Sequence, residues 1–242
     1  MSFIFILAWI IKDNSIVDIA WGIGFILVAI VTFVLQPVRV IRPILVTALI
    51  LVWGTRLAAH IAIRKRGKGE DFRYAKWRKD WGKWLHVRSF IQIYILQGLF
   101  LLIIAYPVML INHSKEAEIF FLDIAGLIIW FVGFFFEAVG DYQLTKSKKK
   151  EENKGKIITQ GLWKYTRHPN YFGEVAMWWG IFLIALSVEN GWTAIVSPLL
   201  ITFLLLKVSG ITMLEKKYVG NKEFEEYAKS TSAFFPWLPK KK

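Results

Sequence analysis

Residues Ile119–Gly140 read IFFLDIAGLIIWFVGFFFEAVG, and Asp141–Lys150 continue as DYQLTKSKKK. The first stretch is apolar for as long as a helix needs to cross a hydrocarbon core, roughly 20 residues at 1.5 Å each. The second turns abruptly polar and basic. Five further runs of similar character flank this one, at Ile16–Gln36, Val40–Ile63, Ser89–Ile111, Phe172–Val188 and Trp192–Lys207. A short one, Phe3–Ile11, is read either as a thin first helix or as a tucked interfacial segment. The reading is an all-α membrane protein of about seven transmembrane helices, forming a single integral membrane domain over residues 1–242.

Charge placement orients these spans. The chain carries 31 Lys+Arg against 18 Asp+Glu, a formal net charge of +13. The basic residues concentrate between Arg64 and Arg88, between Lys146 and Arg167, and from Lys207 to the end. Those segments follow the third, fifth and seventh runs, so alternating helices place them on one face. The opposite turns, Pro37–Arg42, Asn112–Glu118 and Glu189–Gly191, hold few. Positive-inside bias then puts the basic loops and the C-terminus in the cytoplasm and the N-terminus outside. Topology thus accounts for a charge that would otherwise suggest nucleic acid, and no nucleic-acid partner is expected. Trp77, Trp81, Trp84, Trp163, Tyr165 and Trp237 fall near predicted span ends, where amphipathic rings favour the headgroup layer. The N-terminus has no basic n-region or small-x-small cleavage site, so the first apolar segment is expected to be retained. With no cysteine in the sequence, thiolate chemistry and disulfides are excluded, and no metal site is expected.

Ionisable groups inside spans are costly and tend to line a site. One group is Asp18 in Ile16-Val-Asp-Ile-Ala-Trp-Gly22, which with Trp21 is a candidate substrate contact; a carboxylate at an interfacial helix N-terminus is the plainer explanation. Arg56, His60 and Arg64 are spaced four apart on one helix face. Arg64 is able to snorkel to the surface, whereas Arg56 lies about 12 Å deeper and calls for an anion or an acidic partner. The following loop adds Glu70, Asp71 and Tyr74 near that face. Glu137 and Asp141 repeat the spacing at the end of the fifth span, with Lys146 and Lys148 as local partners or a ligand's donors between them. The most specific segment is Gly161–Glu174, GLWKYTRHPNYFGE. Pro169 holds His168 out of helical geometry and starts the next helix. Asn170 and Glu174 then share a face, with Arg167, His168 and Tyr171 beside them, and these five are the candidates for a polar, cofactor-binding pocket.

That segment, with the tail motifs Phe224-Glu-Glu-Tyr and Ser232-Ala-Phe-Phe-Pro-Trp, resembles the C-terminal part of steroid 5-alpha-reductases. It is also similar to sterol C14-reductases, which share an Arg-His-x-Asn-Tyr-x-Gly-acid pattern. The whole chain looks like a bacterial branch of that superfamily, through Ile16–Gly22, Gly67–Tyr74, Phe136–Asp141 and Leu206–Gly210. Residues 137–238 form the steroid-reductase-like, cofactor-binding part. The resemblance implies an NADPH-dependent oxidoreductase acting on a CH–CH group, in the bacterial inner membrane, with a membrane lipid as substrate. Asn170 would bond the nicotinamide carboxamide, Glu174 and Asp141 would hold the ribose region, and Tyr218 matches a tyrosine of the reductases' last helix. Two departures stand out: Gly210–Lys217 lacks the histidines of the steroid enzymes, and the paired Gln and Glu that grip the steroid keto group have no counterpart. The substrate is therefore placed among lipid or isoprenoid-type molecules.

No Gly-x-Gly-x-x-Gly occurs, so a Rossmann site is not expected. Arg56, Arg64 or loop lysines are the candidates to hold the cofactor's 2′-phosphate and pyrophosphate. His60, Tyr74 and Glu174, in that order, are the candidate proton donors. A rival reading is an S-adenosylmethionine-dependent methyltransferase of the isoprenylcysteine carboxyl methyltransferase type, which shares Arg-His-Pro-x-Tyr-x-Gly and a later glutamate that Glu215 would match. A non-catalytic lipid-binding protein is the third.

Overall fold

The computed structural model describes residues 1–36, 40–153 and 155–240. Part of the expected turn at 37–42 thus lies outside the described residues, as do Lys154 in the basic loop and the last two lysines. Among the described residues the secondary structure is helical, apart from one isolated bridge between Thr166 and Ser232. The helices are α1 (Ser2–Ile11), α2 (Ile16–Leu35), α3 (Ile41–Lys65), α4 (Phe72–His113), α5 (Phe121–Lys149), α6 (Pro169–Ala185), α7 (Gly191–Tyr218) and α8 (Lys222–Ser230). Five of them, α2, α3, α4, α5 and α7, are long and apolar enough to cross a membrane. α6 has 17 residues and α1 has 10. The latter is about 15 Å long, half the hydrocarbon thickness. The chain divides into two compact units, Met1–Glu118 and Ile119–Lys242.

Large apolar side chains on the outside mark these helices as lipid-facing. On α5, Phe121, Ile124, Ile128, Phe131 and Phe135 are all exposed, at spacings of three and four that make one continuous stripe. An exposed apolar stripe of this extent is an interaction surface, and hydrocarbon is the solvent that suits it. The protein is a multi-pass membrane protein.

In the first unit α2 and α3 approach closely at Gly22 and Gly54. A Cβ on Gly22 would come within 2.7 Å of the Gly54 carbonyl oxygen, and one on Gly54 within 2.8 Å of the Gly22 oxygen. Beside this crossing Phe25 meets Trp53 edge-on at 5.2 Å. At the other end Asn112 of α4 donates to the Ala29 carbonyl and to Thr32, and accepts from Thr47. Arg42, 1% exposed, donates to the carbonyls of Glu116 and Glu118 beyond the end of α4. These bonds satisfy polar groups that would otherwise be stranded away from water.

The second unit is organised by glycine at seven-residue intervals. Gly126, Gly133 and Gly140 of α5 share a buried face with Asp123, Trp130, Glu137 and Asp141. Gly126 opposes Gly180, and Gly133 opposes Gly173, so the α5 and α6 backbones touch. α5 also runs on to Lys149, so the first lysines of the expected loop are still helical. α7 is not uniform: it widens to π geometry at Leu204–Val208 and breaks at Ser209–Gly210 before a last turn to Tyr218.

Candidate functional site

The segment Gly161–Glu174 is held by hydrogen bonds against the end of α5, α8 and the C-terminal segment. Gly161 takes a positive φ of 64°, which lets the chain turn so that Leu162 N–H donates to Gln143. Trp163 Nε1 donates to the Gly140 carbonyl at 3.2 Å. The hydroxyl of buried Tyr227 donates to the Trp163 carbonyl, and burial pushes that phenol up from its ordinary pKa, so it remains a donor. Thr166 donates to Phe234 of the C-terminal segment and accepts from His168 N–H. Pro169 then opens α6 at its first position, where a missing N–H costs nothing.

Gly140 decides how near α6 begins. A Cβ there would lie 3.1 Å from the Pro169 ring and 3.2 Å from Asn170 N, so its absence lets Asn170 reach α5. Asn170 Nδ2 donates to Asp141 Oδ1 at 3.2 Å. A carboxylate only accepts, so this bond fixes the amide with its oxygen turned away. That oxygen, Oδ1, is buried and has no hydrogen-bond partner among the described residues. A buried amide oxygen left unpaired costs about 1–3 kcal/mol, and such an atom in a native structure calls for an explanation. Glu137, 2% exposed, packs under Gly173 one turn before Asp141, and Glu174 follows Asn170 by one turn on the same face.

Arg167 and His168 go elsewhere. Arg167 makes a two-pronged pair with Glu215, Nε to Oε1 at 2.9 Å and Nη2 to Oε2 at 3.1 Å. Its Nη1 donates to the carbonyls of Ala228 and Thr231. His168 Nε2 lies 2.9 Å from the same Glu215 carboxylate and its ring stacks on Tyr171 at 5.5 Å. Tyr218 stacks on Phe224, over which the Arg167 guanidinium also sits. Glu215 therefore fastens the end of α7 to the start of α6, while Arg167 itself holds α8 and Thr231 there. The sequence reading used it only for the rival enzyme class.

The remaining candidates belong to the first unit. Asp18, in the first turn of α2, accepts from Tyr74 at 2.6 Å and from Arg73 at 2.6 Å. Tyr74 is fully buried and meets Trp77 edge-on. Trp21 contacts Phe25. Along α3, Arg56 and His60 are half-buried and Arg64 is exposed. The loop acids turn to the Lys12–Asp18 segment: Glu70 accepts from Asn14 N–H and from Arg78, and Asp71 caps α4 and holds Arg73. Asn14 also contacts Tyr94 and Ser89. The structure thus joins Asp18 to Tyr74 in one cluster and Asp141 to Asn170 in another. Asn14, Tyr94 and Glu215 are polar partners that spacing alone did not reveal. Among the described residues no group of three His, Cys, Asp or Glu is placed to hold a metal.

Comparison with known proteins points one way. Over 117 residues the chain is 27% identical to the 3-oxo-5-alpha-steroid 4-dehydrogenase 1 of Rattus norvegicus, covering 48% of this chain and 41% of that protein. The bovine (Bos taurus) protein of the same name is 30% identical over 115 residues, 48% of this chain and 42% of its own length. A steroid 5-alpha-reductase of Gossypium hirsutum is 33% identical over 69 residues, 28% of this chain and 27% of that protein. The chain therefore spans less than half the length of these curated relatives. No solved structure matches. Residues 4–231 match the family described as "Protein of unknown function (DUF1295)". The chain belongs to that family, a steroid 5-alpha-reductase-like family of membrane proteins.

Proposed function

We propose that the protein is a membrane-embedded, NADPH-dependent reductase of a conjugated carbon–carbon double bond in a lipid or isoprenoid-type substrate. The observation that carries this reading is Asn170 Oδ1, a buried acceptor oriented by Asp141 and left without a donor. A nicotinamide carboxamide offers the N–H that such an atom lacks. The residues present fit the group: an amide acceptor at the start of α6, with the carboxylates of Asp141, Glu137 and Glu174 within a turn of it for ribose hydroxyls. The named relatives are steroid 4-dehydrogenases and 5-alpha-reductases, which supports the same reaction class.

When bound, the cofactor supplies hydride to one carbon of the double bond. The protein's own tasks are to orient the nicotinamide through Asn170, to admit an apolar substrate from the bilayer, and to deliver a proton to the neighbouring carbon. His60, Tyr74 and Glu174 are the candidate donors, with Asp18 and Trp21 proposed for the substrate and Arg56 and Arg64 for the cofactor phosphates. Arg167, His168, Tyr171 and Tyr218 support the site through Glu215 and Phe224. The basic segments are assigned to the cytoplasmic face of a bacterial inner membrane, from which the nucleotide enters.

Methyl transfer from S-adenosylmethionine is the second reading, favoured by Glu215 lying against Arg167 and His168 of the shared motif. A sulfonium would seek an open carboxylate, and this one is already paired twice. The test is thermal stabilisation of the purified protein in mild detergent by NADPH and by S-adenosylmethionine. NADPH is expected to raise the unfolding temperature, and Asn170→Ala to diminish the rise at a given NADPH concentration. Stabilisation by S-adenosylmethionine alone would replace this function with the second.

A further inference from the structure

A separate cavity of about 230 Å³ lies wholly within the first unit, between the end of α1, the Lys12–Asn14 turn and the first part of α4. Phe5, Ala8, Trp9 and Leu85 line its apolar side, and Lys12, Asn14, Arg78, His86 and Ser89 its polar side. It shares no residue with the Asn170 cluster, and it is smaller than the roughly 300–1,000 Å³ of sites for drug-sized ligands, so it is not a dinucleotide site.

Its charge is one-signed. No carboxylate lines it, and the two acids nearest in the network are already engaged. Asp13 is held by Lys65 at 2.6 Å and by Ser15, and Glu70 by Arg78. Arg78 uses Nε and Nη2 for Glu70 and the Lys12 carbonyl, and Nη1 takes no part in these bonds. Lys12 makes no ion pair among the described residues; it sits in a left-handed turn, φ 56°, that ends α1. The His86 ring is edge-on to Trp9 at 5.6 Å. The apolar side continues outward onto the exposed faces of Trp9, Ile10 and Trp84.

A pocket with cationic donors on one side and lipid-facing aromatics on the other matches an anion carried on an apolar tail. We propose that this cavity binds the phosphate of an anionic phospholipid headgroup, with Lys12, Arg78 and His86 as donors and the acyl chains lying along α1. Basic side chains at a membrane surface attract anionic lipid with about 1 kcal/mol each. What this site adds is a fixed position with an apolar wall.

The test uses the full chain in neutral detergent, titrated with phosphatidylglycerol, phosphatidylcholine or inorganic phosphate, and followed by native mass spectrometry and unfolding temperature. One phosphatidylglycerol is expected to be retained in preference to phosphatidylcholine, and to stabilise the protein. Lys12→Gln should weaken that retention about five-fold, and Lys12→Gln with His86→Gln further. Both side chains are exposed, so these variants fold. Lys149→Gln, which removes the same charge from the second unit, should bind like the parent. Equal weakening in Lys149→Gln, or none in the double variant, would reduce the effect to bulk attraction and overturn the proposal. Protection by inorganic phosphate equal to that by the lipid would assign the cavity to a soluble phosphate and overturn it too.

Discussion

Asn170 Nδ2 donates to Asp141 Oδ1 at 3.2 Å, from the first turn of α6 to the buried face of α5. The bond makes the asparagine amide one-sided: its donor is used and its acceptor is presented. Asn170→Asp would set a second carboxylate against Asp141 and remove the donor. Asn170→Ala would remove acceptor and donor together. Both are expected to cut NADPH affinity by about three- to ten-fold or more, the worth of one neutral hydrogen bond. Asp141→Asn should weaken binding less, because the Asn170 amide is then free to turn either end toward its neighbour. Isothermal or thermal-shift titration with NADPH measures all three, and parental affinity in Asn170→Ala would remove Asn170 from the site.

The α5–α6 contact gives a stability prediction with an internal control. A Cβ on Gly133 would meet the Gly173 carbonyl at 2.6 Å and Met177 N at 2.7 Å, both backbone atoms that cannot move aside. Gly133→Ala should therefore destabilise the protein by about 1–3 kcal/mol, as overpacking does. A Cβ on Gly24 would be closer still, 2.4 Å from Leu101 Cδ1, but that atom ends a flexible side chain. Gly24→Ala should cost much less. Unfolding temperatures in detergent rank the two, and the reverse order would show that the glycine register does not hold these helices together.

The helical membrane architecture was legible because it rests on local quantities, run length and apolarity, that need no partner. The acidic and amide pairs were legible in part. Spacing placed Glu137 with Asp141, and Asn170 with Glu174, on common faces, and the proline placed α6. Which side chain answers which was not legible. Asn170 donates to Asp141 from another helix, a contact that depends on Gly140 letting that helix approach and that Lys146 and Lys148, nearer in sequence, do not announce. The seven-residue glycine spacing was visible in the sequence as the one signal that could have announced it. Glu215 was missed as an anchor for Arg167 and His168 for a related reason: it lies 47 residues beyond His168, past the π-widened break in α7.

Arg167 makes its four bonds to Glu215, Ala228 and Thr231 with a forked guanidinium that lysine cannot copy. Arg167→Lys should therefore fail to restore what Arg167→Gln loses. Glu215→Gln leaves Arg167 partly buried without its counter-charge, at a cost of about 2–3 kcal/mol, a little below that of a fully buried pair. Losing Arg167 removes a tether of Thr231 to the start of α6, and losing the Glu215 charge removes the partner that holds Arg167 in place for it. Limited proteolysis should then cut near Thr231–Trp237 well before the helices are attacked. Unchanged cleavage in Glu215→Gln would mean that the bonds of Arg167 to the Ala228 and Thr231 carbonyls, with those of Thr166 and Trp237 to Phe234 and Tyr165, hold the segment without the carboxylate.

Acid should loosen the Lys12–Asp18 turn through Asp13. Burial opposes ionisation of this carboxyl, but hydrogen bonds from Lys65 and Ser15 and the charge of Lys65 outweigh it, holding it below its ordinary 3.8. A carboxyl depressed in the folded state contributes stability above the unfolded value, near pH 4, and loses it as pH falls through the lower folded value. Asp13→Asn should thus lower the unfolding temperature at neutral pH, with the gap to the parent closing below about pH 4. Lys65→Gln should show the same convergence, since the depression depends on that ammonium at 2.6 Å. A gap that stays constant from pH 7 to pH 3 would mean that packing of the turn, and not the ion pair, holds α1 and α2 to the end of α3.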